Sequence, residues 1–243
     1  MSKETQVPRT NEADPNGGAS IAEAGIRRGG ELSFSYSPSI VTLAAPHAEQ
    51  AEAIRTLRTH IMAQHVDDGR RGLAICGPSA GVGCSFTAVN LAVALSQIGV
   101  NTLLIDGDLR KPSVQDLIRP SQPVIGLRQA LGAEEAEDGI IQTSVLPNLS
   151  VMFSGGVAPD AQELLASDRF KDLVDEQLRD FDMTIIDTPA ANSCADARRI
   201  STVVGYSLIV VRRNRSFIGD MQALAAQLNE DRARIVGTVM NEG

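Results

Sequence analysis

The sequence predicts one α/β domain in which a mostly parallel sheet is covered by helices on both faces. From residue 71 onward, short apolar runs alternate with longer segments of helical hydrophobic period. Buried parallel strands joined by helices produce this alternation, because each strand is covered on both faces. The chain has 243 residues, 43% of them hydrophobic, which is enough for one full core.

The N-terminal segment differs in composition from the rest of the chain. Residues 1–30 are rich in Glu, Asn, Gly, Pro, Ala and Ser without a sustained apolar period, which predicts a disordered leader. Residues 32–45 contain scattered apolar side chains and are expected to lie extended against the main body. We therefore expect a disordered or extended leader over residues 1–45 and a folded domain over residues 46–243.

The first predicted helix spans residues 48–64, where apolar side chains recur on one stripe. Glu52, Arg55 and Arg58 follow one another at intervals of three, which places them on one exposed face of that helix. The spacing is compatible both with an ordinary solvated face and with an interaction surface.

A glycine-rich turn connects the first predicted strand, residues 73–76, to the next predicted helix, residues 85–97. Strand, glycine loop and helix are the setting of a P-loop, in which backbone N–H groups and the helix dipole hold phosphates. We call this turn the glycine loop; its members are Ser79, Ala80, Gly81, Val82, Gly83, Cys84, Ser85 and Phe86. Ser85 stands where a P-loop has its magnesium-binding hydroxyl, so the domain is predicted to be of the P-loop type.

The glycine loop departs from the P-loop pattern just before that hydroxyl. The pattern GxxxxGK[ST] has a lysine there, and this chain has Cys84, with no lysine between Ile75 and Asn90. A thiolate at a helix N-terminus, where its pKa can fall, would repel a nucleotide. Three alternatives are open: Cys84 is a neutral filler, it is a redox switch facing phosphate, or another residue such as Arg110 or Lys111 supplies the charge.

The alternation of strands and helices continues to the end of the chain. Further strands are predicted at residues 102–105, 149–153, 183–186, 208–211 and 235–240. Further helices are predicted at residues 126–131, 161–181, 195–204 and 219–228.

Two of these strands end in acidic residues. Asp106 and Asp108 follow one apolar run, and Asp187 follows another. Ligands of open parallel sheets bind at the carboxyl ends of the strands, where the glycine loop also lies. These carboxylates are therefore expected to converge with the loop on one phosphate–magnesium site, where one of them could instead orient or deprotonate an attacking hydroxyl.

Five stretches together resemble the cytoplasmic domain of the bacterial tyrosine kinases, or BY-kinases. Residues 52–58 fit the E-x-x-R-x-x-R motif, residues 103–112 the apolar run with D-x-D-x-R-x-P, and residues 184–189 the Walker B motif. Residues 159–167 resemble the P-x-x-x-E-L-L-x-S segment, and residues 237–241 the last strand, whose asparagine, here Asn241, is implied to lie near the adenine. The resemblance covers about residues 49–241.

The resemblance implies roles for the acidic residues and for the charged helix face. Asp106 would serve magnesium or act as the base, Asp108 would support it, and Asp187 would bind magnesium through water, with Ser85 as the hydroxyl ligand. Arg110 belongs to the same motif and is a candidate nucleotide contact. Glu52, Arg55 and Arg58 would make subunit contacts in a ring. The implied cofactors are ATP or ADP with magnesium.

The resemblance also implies a setting and a partner. BY-kinases work with membrane polysaccharide co-polymerases in capsule and exopolysaccharide export. We expect a cytoplasmic subunit that reaches the inner membrane through the cytoplasmic ends of such a partner. The family's tyrosine-rich tail is not matched, since the chain stops at Gly243 and has only Tyr36 and Tyr206. Kinase activity is therefore expected to be weak or absent.

Composition agrees with these expectations. The net charge of −8 argues against nucleic acid as a partner. Three cysteines are typical of a reducing compartment, and the polar N-terminus has no signal-peptide core. Two alternatives are kept: an active ATPase or tyrosine kinase with a relocated cation, and a Min- or Par-type positioning ATPase. The second needs an earlier lysine, where this chain has Ser79.

Overall fold

The computed structural model describes residues 32–132 and 138–242 of the chain. The predicted disorder of residues 1–30 therefore lies outside the described residues. The compact unit begins at Leu32, and none of its described helices is long and apolar enough to cross a membrane.

Within the described residues, seven strands form one sheet in the order β5-β6-β3-β7-β2-β8-β9. These strands are β2 (Gly72–Cys76), β3 (Thr102–Asp106), β5 (Gln142–Leu146), β6 (Leu149–Met152), β7 (Met183–Asp187), β8 (Tyr206–Arg212) and β9 (Arg234–Asn241). All neighbouring pairs are parallel except β5 with β6. The predicted α/β domain with a mostly parallel sheet is thus confirmed.

Helices cover both faces of this sheet. They are α1 (Val41–Ala44), α2 (Glu49–Ile61), α3 (Cys84–Ser96), α4 (Val114–Leu117), α5 (Leu127–Gly132), α6 (Ala161–Ala166), α7 (Asp168–Asp180), α8 (Asp196–Val204) and α9 (Ile218–Glu230), and a π-helical turn, Met62–Val66, extends α2. The central strands are buried on both sides. On β2, Leu73 and Ile75 join the core with α3, whereas Ala74 and Cys76 join the core with α7, α8 and α9.

The segment before α2 is more structured than predicted. Strand β1 (Phe34–Tyr36) pairs antiparallel with β4 (Ile118–Pro120), and Ile40 is completely buried. Residues 32–45, predicted to lie extended against the main body, therefore contain a strand and the short helix α1. The compact unit starts at Leu32 and not at the boundary placed after residue 45.

One predicted helix is broken in the structure. The prediction for residues 161–181 was a single helix, and the chain instead forms α6 and α7 with Ser167 between them. Ser167 has an extended ψ of 153°, and its hydroxyl accepts a hydrogen bond from the backbone N of Phe170. Ser167 is thus the N-cap of a new helix, which is a common role for serine.

The sheet brings the predicted acidic residues together. Strands β3 and β7 are neighbours, and their register places Asp106 directly opposite Asp187. Strand β2 lies on the other side of β7, with Ile75 opposite Asp187. The loop that follows β2 therefore starts beside both carboxylates.

Candidate phosphate-binding site

The glycine loop has the backbone of a phosphate cradle. Gly81 and Gly83 have φ angles of +74° and +107°, which glycine adopts without the strain that a side chain would add. Gly83 is the N-cap of α3, and its carbonyl accepts a hydrogen bond from Thr87 N at 2.9 Å. Val82 between the two glycines is 1% exposed and anchors the loop in the core. The loop thus ends at a helix N-terminus that favours anions.

Cys84 lies where the lysine of a P-loop would stand, and its thiol is neutral. Burial raises the pKa of Cys84 well above its usual value, and the nearby Asp187 carboxylate raises it further. Desolvation and negative charge thus outweigh the lowering of this pKa that a helix N-terminus can produce. The loop has the shape of a P-loop without its positive charge.

Asp106 is fully buried and fixed by backbone N–H groups. It accepts hydrogen bonds from Asp108 N at 3.2 Å, Ser113 N at 3.2 Å and Val114 N at 3.1 Å. Burial nevertheless raises the pKa of this carboxyl to about 7. The three donors orient the side chain at the end of β3, which suits a residue that must hold a fixed position.

Asp187 is fully buried, and neither of its carboxylate oxygens has a hydrogen-bond partner among the described residues. Burial raises its pKa well above the usual value, and the charge of Asp106 raises it further. A buried carboxylate without a partner is costly unless something compensates its charge. A cation bound next to Asp187 would compensate this buried carboxylate.

The donor set near Asp187 fits magnesium. Ser85 lies in the glycine loop at the start of α3, and its Oγ is 2.7 Å from the Oγ of Ser113. No group of three or more His, Cys, Asp and Glu side chains in the described part of the chain is placed to hold a metal ion. Magnesium needs no such group, because it is usually held by one or two carboxylates, water and substrate phosphates.

Asp108 and Arg110 have other partners than the loop. Asp108 Oδ1 accepts hydrogen bonds from the backbone N of Arg110 at 3.0 Å and of Lys111 at 2.8 Å, so it shapes the turn after β3. The guanidinium of Arg110 binds the buried carboxylate of Asp196, with Nε 2.7 Å from Oδ2. Arg110, predicted as a nucleotide contact, is thus directed toward α8.

Two arginines that the sequence analysis did not single out lie against the glycine loop. Arg212 Nη1 donates to the carbonyl oxygen of Gly81 at 3.2 Å. The guanidinium of Arg215 lies over the Cα of Gly81, where Nη1 and Nη2 would be 3.2 Å from a Cβ atom. The arginines directly after the apolar run of residues 208–211 were the available signal, because parallel strands end at the same edge of a sheet.

Asn241 at the end of β9 also contacts the glycine loop. Its Nδ2 donates to the carbonyl oxygen of Val82 at 3.0 Å, and a Cβ atom on Gly83 would approach that nitrogen to 2.2 Å. The loop is therefore bounded by β3 and β7 on one side and by β8 and β9 on the other.

The arginines of the charged face of α2 contact their own helix, Pro46 and α3. Arg55 Nε binds Glu52 Oε2 at 2.9 Å, and its Nη2 donates to the carbonyl oxygen of Pro46 at 2.7 Å. Arg58 Nη1 donates to the carbonyl oxygen of Ala94 at 3.3 Å. Glu52 is exposed, whereas Arg55 and Arg58 are partly buried, so the face predicted to be exposed is only partly so.

The chain matches known proteins over most of its length. Residues 73–242 match the family model of the CobQ/CobB/MinD/ParA nucleotide binding domain. The chain is 32% identical over 203 residues to tyrosine-protein kinase YwqD of Bacillus subtilis, covering 84% of this chain and 85% of that one. It is 30% identical to putative tyrosine-protein kinase EpsB of Ralstonia solanacearum, where the match covers 81% of this chain but 26% of EpsB. Among solved structures, the chimerical protein CapA2B2 superposes with a TM-score of 0.76 and 29% identity, covering 86% of this chain and 92% of that one.

Proposed function

Because the chain belongs to the bacterial tyrosine kinases, within the CobQ/CobB/MinD/ParA nucleotide-binding family, we propose that it is a subunit of an exopolysaccharide or capsule biosynthesis and export system. In this proposal its tyrosine kinase activity is weak or absent. It acts with a membrane polysaccharide co-polymerase to regulate polymerisation or export. The observation that carries the proposal is the neutral Cys84 in a loop that otherwise keeps the geometry of a phosphate cradle.

The site supports binding of ATP or ADP with magnesium. Ser85, Asp106 and Asp187 are the residues that would hold the metal, and Asp187 has two oxygens without a hydrogen-bond partner among the described residues. Magnesium bound with a nucleotide neutralises charge on the β- and γ-phosphates. In this proposal the backbone N–H groups of the glycine loop orient the phosphates, and Asp106 is the candidate acceptor of a proton from an attacking hydroxyl.

The same site supports weak chemistry. A P-loop lysine contacts the β- and γ-phosphates and stabilises the charge that develops in phosphoryl transfer. The neutral thiol of Cys84 supplies no such charge. Catalysis depends on interactions that strengthen in the transition state, so binding can persist while the rate falls.

The two tyrosines of the chain are engaged in the fold and are poor acceptors for phosphate. The hydroxyl of Tyr36 donates to the carbonyl oxygen of Val145. The ring of Tyr206 packs against His65 with 4.8 Å between ring centroids, and the guanidinium of Arg70 lies over the same ring at 5.3 Å. Phosphorylation of Tyr36 would remove the hydrogen bond that its hydroxyl donates to Val145, and the ring of Tyr206 is held between His65 and Arg70.

The charged face of α2 supports assembly. In the proposed complex, Glu52, Arg55 and Arg58 contact a neighbouring copy of the chain in a homo-oligomer or ring. The subunit is cytoplasmic and reaches the inner membrane only through the cytoplasmic ends of the co-polymerase. This chain matches most of YwqD but only one quarter of EpsB. The difference supports a domain that can function either as a separate chain or as part of a longer one.

A kinase assay tests the proposal. The purified protein is incubated with ATP, magnesium and a tyrosine-containing substrate peptide, beside the variant Cys84→Lys. We expect little phosphotyrosine from the native chain and at least about tenfold more from the variant, since one charge-assisted contact to a phosphate changes rates by that order. Equal, robust phosphorylation by both proteins would contradict weak activity.

A second candidate function is an active ATPase or tyrosine kinase with a relocated cation. The contacts of Arg212 and Arg215 with Gly81 favour it. The same assay separates the two candidates, because an active enzyme would phosphorylate the peptide without the substitution at Cys84.

A further inference from the structure

We infer that Arg215, assisted by Arg212, supplies in cis the positive charge toward nucleotide phosphates that the glycine loop lacks at Cys84. The inference rests on the proposed function in one respect, since it takes the glycine loop as a nucleotide cradle. It concerns the affinity for nucleotide, which is separate from the rate of phosphoryl transfer.

Topology brings these arginines to the loop. Strands β2 and β8 are parallel neighbours, with Cys76 opposite Ile209, so the chain segments that follow them leave the sheet at the same edge. Arg212 is the last residue of β8, and Arg215 follows three positions later. Both side chains reach Gly81, which has no side chain to block an approaching group.

The turn that carries Arg215 is internally fixed. Arg212 N donates to the hydroxyl of Ser216 at 2.9 Å, Ser216 N donates to the carbonyl oxygen of Arg212 at 2.9 Å, and Arg215 N donates to the same carbonyl oxygen at 3.2 Å. A fixed turn lowers the entropy cost of holding a long side chain at a ligand.

Arg215 has its donors available for an anion. Within residues 32–132 and 138–242, no carboxylate pairs with its guanidinium, whereas Arg110, Arg198 and Arg213 pair with Asp196, Asp231 and Glu242. Arg212 uses one nitrogen on the Gly81 carbonyl oxygen. A guanidinium presents planar paired donors that match phosphate oxygens, and arginines supplied in cis perform this role in other phosphoryl-transfer sites.

The acidic side chains of the site favour a further cation close to the phosphates. Asp106 and Asp187 face each other across neighbouring strands, Asp108 lies nearby, and the thiol of Cys84 offers no compensation. An anionic nucleotide entering this surrounding is repelled unless a cation is close. The two arginines lie on the side of the loop opposite these carboxylates, where β8 follows β2 in the sheet.

The test is the affinity for Mg-ATP and Mg-ADP, measured by calorimetry on Arg215→Ala, Arg212→Ala and the matched control Arg213→Ala. Arg213 lies in the same turn and pairs with the exposed Glu242, so its substitution removes equal charge away from the loop. We expect Arg215→Ala to weaken Mg-ATP binding by about tenfold or more, and Arg213→Ala to leave it unchanged. An equal loss in Arg213→Ala and Arg215→Ala would show a general charge effect and overturn the inference.

A double-variant cycle identifies what Arg215 replaces. If Arg215 substitutes for the missing lysine, Arg215→Ala costs less affinity in the Cys84→Lys background than in the native chain. Equal losses in both backgrounds would overturn the inference. The inference would also be overturned if the native chain binds no nucleotide while Cys84→Lys binds it. That outcome leaves the proposed function intact, because the kinase assay tests that function.

Discussion

The guanidinium of Arg110 is held by the carboxylate of Asp196, with Nε 2.7 Å from Oδ2 and Nη2 3.3 Å from Oδ1. The Asp196 side chain is 1% exposed and the Arg110 side chain 40% exposed. The pair therefore joins the turn after β3 to the start of α8, and it compensates a buried charge beside the candidate site.

Removing Arg110 should destabilise the fold. Arg110→Ala leaves Asp196 buried without its partner, so we expect the free energy of unfolding to fall by about 1–3 kcal/mol, less than for a fully buried pair because the arginine is partly in water. Urea denaturation measures this change. Arg213→Ala is the matched control, since its partner Glu242 is exposed, and an equal loss in both variants would contradict the explanation.

Removing the charge of Asp187 should stabilise the nucleotide-free protein. The Asp187 carboxyl is buried without a hydrogen-bond partner among the described residues, and an amide in its place carries no charge. We expect Asp187→Asn to raise the free energy of unfolding by about 1 kcal/mol, as is common where a site is built for function and not for stability. The exposed Asp116→Asn serves as the control. A decrease in stability for Asp187→Asn would mean that the carboxylate has a structural partner.

His65 should make stability depend on pH. Burial lowers the pKa of His65 below its usual value of 6.5, while Nε2 lies 2.8 Å from the carbonyl oxygen of Gly72. Below pH 6.5, His65 therefore binds a proton in the unfolded chain but stays neutral in the folded chain. The free energy of unfolding consequently falls as the pH is lowered toward the folded-state pKa. Above pH 6.5, where His65 is neutral in both states, it should no longer lower the free energy of unfolding.

The measurement is the difference in unfolding free energy between the native chain and His65→Gln across this pH range. Taking the difference cancels the opposite trend from Asp106, whose raised pKa makes its contribution fall as the pH rises. A difference that does not change with pH would show that His65 titrates alike in both states.

The charged face of α2 should control assembly. Reversing the charge of Arg55 and Arg58 together is expected to convert the proposed oligomer into monomers, because like charges would then meet a surface built for cations. Sedimentation velocity measures the state, and Arg119→Glu, an exposed arginine on β4, is the control. A monomeric native protein, or variants that keep the oligomer, would exclude this face as the interface.

Most of the fold could be predicted from the sequence because its strongest signals are local. The apolar runs of β2, β3 and β7 are buried on both faces, so each gives a continuous hydrophobic stretch that ends at a glycine or an acid. The break at Ser167 was missed, because apolar positions keep a helical spacing through α6 and α7 while the hydroxyl of Ser167 decides the conformation. Strand β5 was missed because only Val145 is buried in it.

The candidate site was predictable in its acids and its loop, and less so in its charges. Asp106 and Asp187 end apolar runs, and the sheet register then brings them together. The raised pKa of Cys84 depends on burial and on Asp187, neither of which is adjacent in the sequence. The partners of Arg110 and Arg215 likewise belong to other elements, and side-chain direction decides which cation reaches the loop.

Several residues other than Cys84 hold the shape of the glycine loop. Its curvature comes from Gly81 and Gly83, and its attachment comes from the buried Val82 and the amide of Asn241. The shape of the glycine loop and its electrical charge thus depend on different residues. If the proposed function holds, a substitution at position 84 changes the reactivity of a subunit without changing the residues proposed to make its contacts, so active and inactive subunits could assemble together.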